Sequence, residues 1–182
     1  MNKARLAINR MKSQEICRDM LQSFSLPYKR TFTKREIATM KWLATARGAH
    51  KANWGERFVK STDLTPADIV SARSHYQGMC GEYMVAEMTG GFFDPLPRFL
   101  GDKDKSDIIV GGSGMKIAVK TAQHNPPHFK LTKMKEIEDA THLALCLYKE
   151  PEGQVIWIKE KQEFLENYFV KSYGYGLRYC LA

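Results

Sequence analysis

Long hydrophobic runs, paired cysteines and repeated or low-complexity segments are all missing from this sequence. Without a run of about 18 apolar residues we expect no membrane-spanning helix. The N-terminal stretch has no apolar core long enough for a signal peptide, so we expect a cytoplasmic protein. The four cysteines are widely spaced and form no C-x-x-C pair, which argues against a zinc site or a disulfide scaffold and favours buried free thiols: Cys17, Cys80, Cys146 and Cys180.

Acidic residues are scarce in the first third of the chain. Residues 1–60 hold 14 Lys and Arg against four Asp and Glu, whereas residues 61–182 hold 14 against 16. The net charge of +8 therefore comes from the N-terminal part. Such asymmetry indicates a nucleic-acid partner, because cations that contact phosphates release condensed counterions. The alternative is a solvated basic face that only aids solubility.

Helical patterns dominate this basic part. Apolar residues recur with helical spacing over the first 25 residues, and Pro27 breaks this helix. A second helix is expected to begin where Thr33 and Glu36 have the spacing of a capping box. The buried stripe of that second helix is predicted to consist of Ile37, Met40, Leu43 and Ala44. The cations left for solvent or phosphate are Lys34, Arg35, Lys41 and Arg47.

Strand patterns dominate after a third helical segment, which is either one helix or a pair of helices that meet near Gly78. It is expected to start at Thr65-Pro66 and to run to Thr89, where Gly90-Gly91 stops it. The predicted strands are SDIIV, MKIAVKT, HLALCLYKE and GQVIWIKE. KQEFLENYFVKSY is expected to form an amphipathic helix, and LRYCLA a last strand. The pattern predicts an α/β protein in which a basic helical extension, residues 1–60, precedes a core over residues 61–182.

An acid and a lysine lie at the two ends of the predicted SDIIVGGSGMKIAVKT hairpin. A tight GGSG turn pairs Val110 with Met115, which places Asp107 near residue 118 and on the same face as Lys120. A carboxylate there can hold Mg²⁺, and a lysine beside it can neutralise charge that develops on a phosphate. The alternative is that Asp107 only begins a strand and Lys120 only protects a sheet edge.

The segments CGEYMVAEMTGGFFD, SDIIV and KIAVKT, in this order, resemble the PD-(D/E)XK nuclease superfamily. The resemblance implies a restriction-endonuclease-like fold, a mixed sheet flanked by helices. It also implies that Asp107 binds the metal ion, that Lys120 is the catalytic lysine, and that Glu82 is the helix acid that completes the site. Glu87 is the competing helix acid. The family's second carboxylate falls at position 118, where this chain has Ala118.

Three explanations of Ala118 stay open. The alanine is an inactivating substitution that lets a substrate complex survive, or another acid substitutes for the missing one, or the protein is naturally weak or inactive. Measuring Mg²⁺-dependent DNA cleavage with residue 118 as both Ala and Glu tests whether this hairpin carries the active site.

The resemblance implies a Mg²⁺-dependent endonuclease for double-stranded DNA, in which Mn²⁺ can replace Mg²⁺. In its small size the chain resembles site-specific homing enzymes, which are often encoded by phages or introns. Because cutting both DNA strands with one small active site usually needs two copies of that site, we expect a homodimer. The alternatives are a Holliday-junction resolvase and a non-catalytic DNA-binding protein that retained the fold. DNA contacts are expected from Lys34, Arg35, Lys41, Arg47, Lys51, Gln123 and His124.

Overall fold

A computed structural model describes residues 15–17, 19–52, 66–94, 106–124, 127–173 and 176–181. Within these ranges, side chains are described at all positions except 47–52, 66–74, 173 and 176–177. The α-helices are α1 (15–17 and 19–23), α2 (Lys34–Ala52), α3 (Pro66–Thr89) and α4 (Lys161–Asn167), and a 3₁₀ helix covers Met134–Ile137. In this part of the chain, no helix is both long and apolar enough to cross a membrane.

The strands form two sheets. The larger sheet has the order β1-β7-β6-β4-β3-β2 and the smaller one has the order β5-β9-β8. Among the strands that the structure describes, only β4 and β6 pair in parallel, so the larger sheet is mixed. With the helices it confirms the predicted α/β class. The strands are β1 (Tyr28–Thr31), β2 (Phe92–Phe93), β3 (Ile108–Val110), β4 (Met115–Ala122), β5 (Phe129–Leu131), β6 (His142–Lys149), β7 (Glu152–Glu160), β8 (Phe169–Tyr173) and β9 (Gly176–Leu181).

The two faces of the larger sheet bury two separate cores, because successive side chains of a strand point to opposite faces. Helices α2 and α3 cover one face, and we call the apolar cluster beneath them the helix-side core; it contains Ile117 and Val119 of β4. The smaller sheet, the 3₁₀ helix and α4 cover part of the other face. The cluster there, the inter-sheet core, contains Ala118 of β4 together with Phe129 and Phe164.

The described part of residues 1–60 shares the helix-side core with the rest of the chain. Strand β1 pairs with β7, and Phe32, Met40 and Ala44 are buried in the same cluster as Val155 of β7. Arg30 of β1 forms ion pairs with both Glu36 of α2 and Glu87 of α3. These contacts join the N-terminal elements to the sheet.

Local sequence signals are confirmed where they rest on short-range chemistry. The Thr33 hydroxyl accepts the Glu36 N–H at 3.2 Å, and the Glu36 carboxylate accepts the Thr33 N–H at 2.8 Å, which is the capping box. Gly90 follows α3 with φ of +65°, the left-handed conformation that glycine tolerates best. All four cysteines are buried and free.

Several elements differ from the sequence prediction. No strand was predicted at β1, β2 or β5, which are short, and β1 and β5 also depend on partner strands that are distant in sequence. The helix predicted over residues 161–173 ends at Asn167, and Tyr168 is extended, with φ of −70° and ψ of 151°. The remaining residues form β8, because pairing with β9 satisfies their backbone groups in a segment rich in aromatic and β-branched residues.

Candidate functional site

The hairpin that carries the predicted acid and lysine has the predicted register. Val110 pairs with Met115 in β3 and β4. The Val119 N–H donates to Oδ2 of Asp107 at 2.7 Å, so the carboxylate lies against β4. Continuing the register places Asp107 opposite Ala118, and Lys120 is then its diagonal neighbour, at the Cα separation of about 7–8 Å usual for such pairs.

Lys120 forms an ion pair with an acid that was not among the predicted site residues. Its Nζ donates to Oε2 of Glu136, in the 3₁₀ helix, at 2.7 Å, and both side chains are about one-third exposed, at 34% and 31%. Oε1 of Glu136 accepts the backbone N–H groups of Thr132 and Lys133 at 2.9 and 2.8 Å. Burial disfavours the charged carboxylate, but Lys120 and the two amides outweigh burial and lower the pKa of Glu136.

No local sequence signal distinguishes Glu136 from its acidic neighbours Glu138 and Asp139. Only the path of the chain from β5 into the 3₁₀ helix brings one of the three carboxylates to Lys120. The result is a lysine on β4 with one carboxylate bonded to its Nζ and a second, Asp107, bonded to the backbone of the preceding residue.

Ala118 is only 2% exposed and belongs to the inter-sheet core. Its neighbours in that cluster include Phe129, Leu143 and Ile137. A carboxylate at position 118 would enter an apolar environment, and there it would need Lys120 as a partner to remain ionised.

The two candidate helix acids lie on the other side of the larger sheet. Glu82 lies on α3, which packs on the helix-side core together with Cys146, and its negative charge adds to burial in raising the pKa of the Cys146 thiol. Strand β4 therefore separates Glu82 from the Lys120–Glu136 pair. Glu87 accepts a hydrogen bond from the Tyr28 hydroxyl at 2.6 Å and pairs with Arg30, so it joins α3 to β1.

Three of the predicted DNA contacts meet in one cleft of about 720 Å³ at the carboxyl ends of the parallel strands β4 and β6. Lys41 lies there with its Nζ 2.9 Å from Oε1 of Glu150, and Gln123 donates a hydrogen bond to Gln77. The third contact, His124, lines the same cleft. The carboxyl ends of parallel strands are a common place for ligand sites in α/β proteins.

The other predicted DNA contacts lie on α2. Lys34 and Arg35 are exposed in its first turn. The side chains of Arg47 and Lys51 lie outside the described residues.

Among the described residues, no three His, Cys, Asp or Glu side chains are grouped closely enough to hold a metal ion. Mg²⁺ in proteins often uses only one or two carboxylates, with waters and substrate phosphates as its other ligands. A carboxylate offers about four lone-pair sites, and that of Glu136 uses three of them for Lys120 and for the Thr132 and Lys133 N–H groups, so it keeps one for a metal ion. The carboxylate oxygens of Asp107 and Glu136, the two acids bonded to Lys120 or to the residue before it, are of the kind that binds Mg²⁺.

No protein-family model, curated protein or solved structure matches this chain. The fold defines a mixed α/β protein.

Proposed function

We propose that this protein is a Mg²⁺-dependent endonuclease for double-stranded DNA with a restriction-endonuclease-like core, and that Asp107, Lys120 and Glu136 form its active site. The observation that carries the proposal is the 2.7 Å pair between Lys120 and Glu136 on the strand whose backbone holds Asp107. The order of the elements supports it: helix α3 precedes three antiparallel strands, and a crossover then leads to the parallel strand β6.

In this proposal Glu136 takes the role of the family's missing acid at position 118. It comes from another element but reaches the same lysine. Of the three explanations of Ala118, the proposal adopts the second, substitution by another acid.

The roles of the three side chains follow from their chemistry. Asp107 and Glu136 would hold the Mg²⁺ ion, which when bound polarises the scissile phosphate and lowers the pKa of a coordinated water. Lys120 would place its positive charge where negative charge develops on the phosphoryl oxygens. The Glu136 contact fixes the position of that ammonium group before DNA arrives.

The first test removes the site's charges one at a time. Lys120→Ala and Glu136→Gln should each lower Mg²⁺-dependent nicking of supercoiled plasmid by about 10²–10⁴-fold, the range typical of a positioned catalytic group. Gln at position 136 keeps an amide oxygen for the Thr132 and Lys133 N–H groups, so the loop should stay intact. Affinity for DNA, measured without metal ion, should change little in either variant.

Lys159→Ala is the matched control, because it breaks an ion pair of comparable exposure with Glu163. It should leave nicking unchanged. Linear, supercoiled and four-way-junction substrates separate a site-specific endonuclease from a resolvase, and sedimentation tests the proposed homodimer. If Lys120→Ala nicks plasmid as fast as Lys159→Ala, then Lys120 is an ordinary surface lysine and the active-site proposal is wrong.

One observation favours a second candidate, a non-catalytic DNA-binding protein that retained the fold. The position of the family acid is occupied by Ala118, which is packed in the inter-sheet core. This candidate predicts DNA binding without nicking in the parent chain at any Mg²⁺ or Mn²⁺ concentration.

Moving the acid separates the two candidates further. Adding Ala118→Glu to Glu136→Gln restores a carboxylate on the face of Lys120, and the endonuclease proposal predicts recovery of nicking relative to Glu136→Gln alone. Thermal melting must first show that the double variant folds, because residue 118 is buried; the smaller Ala118→Asp provides a second version. If both folded versions remain inactive while the parent is active, an acid at position 118 does not replace Glu136.

A further inference from the structure

Two apolar side chains are exposed near one edge of the larger sheet, on the face that carries the proposed active site. Phe92 of β2 is 66% exposed and Ile109 of β3 is 40% exposed, and the two residues are paired in the sheet register. Their neighbours Phe93 and Ile108, which also pair, pack in the helix-side core on the opposite face. Because side chains alternate along a strand, Phe92 and Ile109 share the face of Asp107.

Strand β2 is anchored so that Phe92 is directed away from the helices. Gly90 and Gly91 link the end of α3 directly to β2. The next side chain, Phe93, packs edge-to-face on Tyr83 of α3, with the ring centroids 5.8 Å apart. Since the strand is already held by Phe93, the exposed Phe92 ring needs little ordering when a partner binds.

The apolar pair is too small for a stable protein interface. A stable complex buries about 800 Å² on each partner, from about 20–30 residues. On β4 the residue paired with Ile109 is Lys116, so the apolar surface does not continue across the described strands of the sheet. An exposed aromatic side chain beside an aliphatic one instead resembles the apolar wedges that proteins insert between base steps of DNA.

The distance from this pair to the proposed active site corresponds to about two base steps. Phe92 is paired with Ile109, so Asp107, two residues before Ile109, is its diagonal neighbour, with a Cα separation of about 7–8 Å. Base pairs of a duplex follow one another at about 3.4 Å along the axis. A phosphate held at Asp107 therefore brings Phe92 to a base step close to the cut.

We propose that Phe92, supported by Ile109, inserts as a wedge at a base step of double-stranded DNA about two steps from the scissile phosphate and stacks on the base exposed there. The inference rests on the proposed function, which supplies the DNA and the position of the cut. Insertion has to unstack the step, and that costs least where a base is already unpaired. The wedge therefore directs the protein to duplexes that contain an unpaired base.

The test measures binding in metal-free buffer, so it does not depend on cleavage. Fluorescence anisotropy compares two short DNA duplexes, one fully paired and one with a single unpaired base, and the parent should bind the second more tightly. Phe92→Ala should lower affinity for the duplex with the unpaired base by about 5–150-fold, the loss that corresponds to one base–aromatic stack. The fully paired duplex should lose less, because the cost of unstacking offsets the contact there.

Two further variants serve as controls. Phe92→Tyr keeps the aromatic ring and should keep the parent's preference for the unpaired base. Phe169→Ala removes another exposed phenylalanine, which is 44% exposed on the edge strand β8 of the smaller sheet. It should bind both duplexes as the parent does.

The outcomes are distinguishable. If folded Phe92→Ala keeps the parent's affinity for the unpaired base, the wedge is wrong even if Lys120→Ala abolishes nicking. A selective loss in Phe92→Ala without nicking by any variant would overturn only the endonuclease. Equal losses on the two duplexes would show that Phe92 contacts DNA without entering the base stack, which overturns the wedge. So would a change of oligomeric state in Phe92→Ala with no change in DNA binding.

Discussion

At the scale of single residues, Gly81 shows how closely α3 approaches the larger sheet. A Cβ at this position would overlap Oγ1 of Thr121 and lie 3.3 Å from Cβ of Cys146. Thr121 is a β-branched residue in the middle of the sheet, so it has little freedom to move aside. Glycine at position 81 therefore allows the close approach of α3 to β4 and β6.

Gly81→Ala should lower the free energy of unfolding by about 1–3 kcal/mol, the usual cost of inserting a methyl group into a packed core. Gly111→Ala is the control, since a Cβ there meets no atom within 4 Å, and it should stay within about 0.5 kcal/mol of the parent. Urea unfolding measures both. Equal stabilities of the two variants would show that α3 can shift without cost.

At the scale of elements, Arg30 joins an edge strand to two helices. Its guanidinium pairs with Glu36 of α2 and Glu87 of α3. The pKa of Glu36 is lowered chiefly by the Thr33 N–H and hydroxyl, and then by Arg30. Burial opposes ionisation of Glu87, but hydrogen bonds from Arg30 and Tyr28 outweigh it and lower that pKa too.

The sign of the pH dependence follows from these lowered values. Stability from a carboxylate with a lowered pKa is present above its ordinary value of 4.5 and is lost as the pH falls through the folded-state value. Arg30→Met should therefore destabilise the protein most near pH 7, by about 1–2 kcal/mol, and less below pH 4.5. Urea unfolding at both pH values measures this. A destabilisation independent of pH would mean that Arg30 contributes through packing alone.

How well an element could be predicted depended on where its partners lie. The sequence predicted the Val110–Met115 pair of the β3–β4 hairpin correctly, because the four-residue turn and the alternation of side chains between the two faces set the register locally. Strand β1 was missed because its partner, β7, is more than 120 residues away. Strand β8 was predicted as helix because FVKSY fits either period, and only the presence of β9 decides between them.

At the scale of the whole molecule, several described residues of the basic N-terminal part belong to the hydrophobic core. Strand β1 and the buried side chains of Phe32, Met40 and Ala44 belong to the helix-side core. Removing residues 1–60 would expose the edge of β7 and the apolar surface under α2.

A chain that starts at residue 61 should therefore lose cooperative unfolding, as followed by circular dichroism during thermal denaturation. A chain that starts at residue 15 is the control: it lacks four Lys and Arg but keeps every described element, and it should unfold cooperatively. Cooperative unfolding of the shorter chain would show that residues 61–182 fold alone.

The sequence by itself determined the features that depend on near neighbours. These are the capping box of α2, the glycine that follows α3, the hairpin with Asp107 and Lys120, the free cysteines and the surplus of positive charge in residues 1–60. Only the tertiary structure decided which acid reaches Lys120 and that Ala118 faces an apolar core. The physical reason is that these contacts join residues up to about 50 positions apart, and no local periodicity encodes which distant strands will pair.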